Sequence, residues 1–171
     1  ESFADLAEHS YNGVDCGFFV GDTFDPIELD LSDYAVLNFD KREEPNEEAR
    51  GIEADTSTVR THHSFWLDFS LSDLKKMREE YYFKDDVLIS DVPDDYLHVY
   101  AGSSGTYSDR VHACVGTMAY GNPARLIHET PRSLLFERVG LGEITDGLTE
   151  PDLDRLAEEK ADQIEFLSEI L

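Results

Sequence analysis

The stretch YLHVYAGSSGTYSDRVHACVGTMAY, Tyr96 to Tyr120, governs the fold assignment, because apolar and polar residues alternate on both sides of a glycine- and serine-rich centre. Successive side chains of a strand point to opposite faces, so a period of two predicts strand. Tyr96–Ala101 and Arg110–Tyr120 are therefore predicted to form a hairpin closed by GSSGTYSD. In that pairing Leu97, Val99 and Ala101 share one face with Val111, Ala113 and Val115, and His98, His112 and Cys114 share the other with Tyr96 and Tyr100.

Outward from the hairpin, further runs read as strands. YAVLNF (Tyr34–Phe39) and CGFFV (Cys16–Val20) are short apolar runs bounded by Gly, Asp and Pro. Thr58–Phe69 alternates, with Val59 and Thr61 on one face and Arg60 and His62 on the other, so the adjacent His62 and His63 point to opposite sides. Val87–Ile89 and Ser133–Val139 complete the set of predicted strands. Helices are predicted at Ser2–His9, from Ser70 through Tyr81, from Asn122-Pro123 to His128, and from Thr149 to the last residue. KREEPNEEARGIEADTS, residues 41–57, has charge, Pro and Gly without an apolar period and is expected to be a mobile acidic loop. The expectation is one α+β domain over residues 1–171, with a mainly antiparallel sheet and a long amphipathic C-terminal helix.

The chain has 171 residues, and 18 Phe and Tyr within 40% hydrophobic residues supply a core. It carries 38 acidic against 14 basic residues, net −24. A surface of that sign repels nucleic acid and anionic membrane, so direct nucleic-acid or membrane binding is excluded and any partner reached through it is basic. Residues 1–58 carry 16 acids and 3 bases, residues 59–141 carry 12 and 9, and residues 142–171 carry 10 and 2, so the acid is concentrated at the two ends. Two cysteines, Cys16 and Cys114, are too few for a disulfide scaffold, and without a signal-like start the expected compartment is the cytoplasm.

Two constellations carry chemistry. On the predicted hairpin, His98, His112 and Cys114, with His62 from a neighbouring strand, would make a nitrogen and sulfur set acceptable to zinc or another transition metal. The plainer reading is rings packed beneath a helix. In the C-terminal helix, Asp154, Glu158, Asp162, Glu165 and Glu169 form an acidic row opposite an apolar stripe of Leu153, Leu156, Ala157, Ile164, Leu167 and Leu171. Such a row costs about 1–2 kcal/mol at low salt, a cost that molar salt hides or that a basic partner uses.

Three functions follow as expectations. The first is a non-enzymatic acidic interaction protein that offers the row Asp154, Glu158, Asp162, Glu165 and Glu169 to a basic protein surface, for example a nucleic-acid mimic occupying the site of a nucleic-acid-binding protein, as viral anti-defence inhibitors do. The second is a halophilic structural or viral domain whose acidity is adaptation to solvent. The third is a small metal-dependent enzyme using the His/Cys cluster.

Overall fold

The computed structural model describes residues 10–31, 33–40, 42–46, 52, 56–62 and 84–171. Its core is one five-stranded sheet, β1 (Tyr34–Asn38), β2 (Ser57–His62), β3 (Val87–Ile89), β4 (Gly105–Ser108) and β5 (Ala124–Leu126). The strands lie in the order β3-β2-β1-β4-β5, and every pairing is parallel. Around the sheet run α1 (Val20–Thr23), preceded by a 3-10 turn at Cys16–Phe19, then α2 (Pro93–Ala101), α3 (Val111–Ala119), α4 (Leu135–Arg138) and α5 (Leu153–Ile170).

This corrects the expected α+β fold with a mainly antiparallel sheet: the chain is an α/β protein with helices on both sides of a parallel sheet. The predicted hairpin is in fact helix, strand, helix. Tyr96–Ala101 belongs to α2 and Arg110–Tyr120 to α3 with its caps, while the strand β4 lies inside the segment expected to be the loop. The physical reason is burial. In α3 every residue from Ala113 to Met118 is buried, and a helix that is apolar nearly all round has no polar face to reveal its 3.6 period. Pro93 at the first turn of α2 pre-sets its helical backbone rather than closing a turn.

β4 escapes a hydrophobicity reading because its sequence is GTYS, yet all four residues are buried. The hydroxyls of Thr106 and Ser108 are bonded internally. Thr117 Oγ1 of α3 donates to Thr106 Oγ1 (2.6 Å), and Ser108 Oγ donates to Asn38 Oδ1 of β1 (3.0 Å). By contrast β1 is buried on both faces, as a central parallel strand should be. Tyr34 and Val36 pack with Tyr96, Val99 and Tyr100 of α2, and Ala35 and Leu37 pack with Phe39 and Tyr107 on the other side. A larger core joins Phe18, Val115 and Met118 to Phe136, Ile144 and Leu156, binding the 3-10 turn, α3, α4 and α5 to β5.

Other expectations fare unevenly. Tyr34–Phe39 and Val87–Ile89 are strands, and Thr58–His62 lies within β2. Cys16–Val20 is helical, Asn122–His128 contains β5 instead of a helix, and the predicted strand Ser133–Val139 contains α4. The helices expected at Ser2–His9 and Ser70–Tyr81, and most of residues 41–57, lie outside the described residues. No helix among the described residues is long and apolar enough to cross a membrane.

α5 is present, but it docks through a face the sequence does not single out. Leu156 is buried, Gln163 Oε1 accepts from the Val14 N–H (2.6 Å), Phe166 stacks on Tyr11, Glu159 pairs with Arg138 and Lys160 with Asp22. Of the predicted inward stripe, Leu153 and Ile164 are each 54% exposed and Leu167 and Leu171 are exposed as well. At about 100° per residue the acidic row lies roughly 140° from both the docked face and the apolar stripe, which are only about 80° apart and share Leu156, so the helix docks rotated by about a fifth of a turn from the expected stripe.

Candidate functional site

In an open parallel sheet, the crevice beyond the carboxyl ends of the strands opens where the strand order reverses. Here β1 is followed in space by β2 on one side and by β4 on the other, so that point lies between β1 and β4. The residues at or just past these strand ends are ionisable: Asp40 after β1, His62 at the end of β2, and Asp109 and Arg110 after β4.

They form one network. The Asp40 carboxylate, with 2% of its side chain exposed, accepts from Arg110 Nη1 (3.0 Å) and lies 3.1 Å from His62 Nδ1. A buried carboxylate needs such partners, because desolvation otherwise drives it to take up a proton. Asp109 is buried beside it and accepts main-chain N–H bonds from Asp40 (3.3 Å) and Arg42 (2.7 Å), so the carboxylate after β4 shapes the loop after β1. Beneath them Asn38 Nδ2 donates to the Thr61 carbonyl (2.7 Å), and Ser108 Oγ accepts from the Arg110 N–H (2.8 Å). This buried polar layer locks β2, β1 and β4 in register under the site.

Beside the network is a cavity of about 290 Å³ lined by Asp109, Arg110, Val111, His112, Thr130 and Arg132, with Pro131. It therefore collects Arg110, Arg132 and His112 around the first turn of α3, where the opening N–H groups of a helix lack helical acceptors and the dipole favours negative charge. His112 is turned by Asp15, whose Oδ2 lies 3.4 Å from His112 Nε2, and the same Asp15 caps the 3-10 turn through the Gly17 N–H (2.8 Å).

The residues singled out from the sequence are dispersed. His98 is on α2, with its ring against Phe24 and its Nδ1 accepting from the Ile27 N–H (3.0 Å). His112 is exposed at the start of α3, and Cys114 is fully buried in the core on the same helix. Burial pushes the Cys114 thiol well up, away from the thiolate that binds metals. The expected His/Cys set is not brought together, and among the described residues no group of three or more His, Cys, Asp or Glu is placed to hold a metal ion. Asp154, Glu158, Asp162, Glu165 and Glu169 are all exposed along α5, as the spacing predicts.

Of the network, sequence reasoning reached only His62, as a fourth metal ligand. Asp40 had a usable signal, a charged residue ending the apolar run YAVLNF. Asp109, Arg110 and Arg132 had none, because the strand before the first two is itself polar. Comparison of the chain with known protein families, with curated proteins and with solved structures finds no match.

Proposed function

We propose that this domain binds a small anionic metabolite, of the phosphate or carboxylate class, at the carboxyl edge of its sheet and acts on it enzymatically. The observation that carries the reading is the cavity that gathers Arg110, Arg132 and His112 at the start of α3 in a chain of net charge −24. Two guanidinium groups, Arg110 and Arg132, collected in a concave site against so strong an opposing background have a reason to be there, and charge-assisted hydrogen bonds to an anion supply one. His112, held by Asp15, is the group suited to move a proton at the bound anion. Arg110, anchored on Asp40, is suited to fix its orientation. A reducing, cytoplasmic setting fits the two thiols, both of which are free.

Calorimetric titration with inorganic phosphate, pyrophosphate and a nucleoside diphosphate tests the reading. Saturable millimolar or tighter binding is expected, weakened about tenfold by Arg132→Gln, whose exposed side chain the fold does not need. No binding of any of the three anions overturns it.

A second reading keeps the acidic row as an interface for a basic protein. What favours it is the full exposure of Asp154, Glu158, Asp162, Glu165 and Glu169 on a face of α5 that is not used for docking. The triple change of Glu158, Asp162 and Glu165 to Gln should abolish capture of a basic nucleic-acid-binding protein, and DNA should compete with the unmodified chain; indifference to both excludes mimicry.

A further inference from the structure

A second cavity, of about 410 Å³, adjoins the basic one: Thr130 and Pro131 belong to the walls of both. The shared wall is a closed turn, in which the Arg132 N–H donates to Thr130 Oγ1 (3.2 Å) and Ser133 Oγ donates to the Thr130 carbonyl (2.7 Å). A main-chain bond from the Ser133 N–H to the Thr130 carbonyl (2.9 Å) closes the same turn, so the two chambers are held side by side by a turn that both backbone and side chains fix.

Their chemistry differs: the first has Arg110, His112 and Arg132 beside one carboxylate, Asp109, which accepts the main-chain N–H groups of Asp40 and Arg42. The second cavity has no Lys or Arg among its lining residues; it presents the carboxylates of Glu129 and Glu137, the hydroxyls of Thr130 and Thr145, and the apolar Leu134 and Ile144. A second anionic group would be repelled there. Carboxylates with hydroxyls beside an apolar surface suit a ring that carries hydroxyls on its edge and C–H bonds on its face. An ammonium group would pair with the same carboxylates but would leave the hydroxyls of Thr130 and Thr145 and the apolar Leu134 and Ile144 unused. We infer that the ligand is bipartite, a sugar phosphate or related polyol ester, with its anionic group among Arg110, His112 and Arg132 and its hydroxylated ring against Glu129 and Glu137. The inference rests on the anion-binding reading above.

The test is calorimetry on the whole chain with inorganic phosphate, ribose 5-phosphate and phosphoethanolamine. Ribose 5-phosphate should bind at least about tenfold more tightly than inorganic phosphate, the gain expected from one or two well-made hydrogen bonds to carboxylates. Glu129→Ala with Glu137→Ala should erase that gain, with phosphate affinity no weaker than before, since two nearby negative charges are removed, and with the melting temperature unchanged, since both side chains are exposed. Equal binding of phosphate and ribose 5-phosphate overturns the inference alone, as does a gain that survives in the double variant. Tighter binding of phosphoethanolamine than of ribose 5-phosphate reassigns the second chamber to an ammonium group and also overturns it. If none of the three probes binds, the parent reading falls with it.

Discussion

At the scale of single residues, Asp40 carries the most consequence, because one buried carboxylate faces both a guanidinium and an imidazole. Asp40→Asn keeps the shape but removes the charge. Arg110 then loses a charge-assisted partner, and the expected cost is about 1–3 kcal/mol in chemical denaturation. Anion affinity should fall in the same variant, because Arg110 is no longer held toward the cavity; an unchanged affinity would take Arg110 out of the site. Cys114 gives a second test. Burial raises its pKa, and burial likewise raises that of Tyr100, which packs on the other side of α3. Both groups are therefore more strongly protonated when folded than when unfolded, so their contribution to stability is complete below the ordinary values of 9.0 for the thiol and 10.0 for the phenol and declines as pH rises beyond them. The melting temperature should begin to drop near pH 9, and Cys114→Ala should move that onset toward pH 10. An alkaline limb that is the same in both proteins would show that the thiol contributes nothing to it.

At the scale of elements, α5 separates what a pattern shows from what packing decides. Leu156→Ala should cost about 2–5 kcal/mol, since it empties a position in the core, whereas Ile164→Ala, on the exposed stripe, should change stability by less than about 0.5 kcal/mol. Equal costs at the two positions would mean that the helix docks on the face the sequence suggested. The helix itself was legible, as were β1 and β3, because each has a clear period or a bounded apolar run. Its orientation was not, because Glu159, Lys160 and Gln163 reach inward through Arg138, Asp22 and Val14, contacts that depend on partners distant in sequence. The parallel sheet was hidden for a related reason. Helix α3 is too buried to be amphipathic and β4 is too polar to look like a strand, so the βαβ alternation that announces such a fold was disguised at its decisive unit. With β4 misread, the charged residues that follow it could not be recognised as lying at a strand end. Gly21 marks another contact of this kind: a Cβ there would stand 2.1 Å from the Ala119 carbonyl oxygen, so Gly21→Ala should push α1 off the end of α3 and lower the melting temperature.

At the scale of the whole molecule, the net charge of −24 sets a field that the basic cavity must overcome, and salt separates the two. Between about 0.01 M and 0.1 M ionic strength the Debye length falls from about 30 Å to about 10 Å. Surface acids farther than that from the cavity's centre lose their influence. Arg110 and Arg132, within contact distance of a bound anion, keep most of theirs. An ordinary basic site on a basic protein weakens steadily as salt is added. Here the affinity for inorganic phosphate should instead hold steady or rise over that range, before declining at higher salt as the local attraction is screened in turn. Titrations across a KCl series, with the melting temperature followed in parallel, measure both effects at once. A melting temperature that climbs steeply to molar KCl would show that self-repulsion limits the fold, as a halophilic surface requires. If phosphate affinity falls from the lowest salt upward while stability stays flat, the surface acids exert no repulsion at the cavity, and the acidity must be explained by a basic partner on another face.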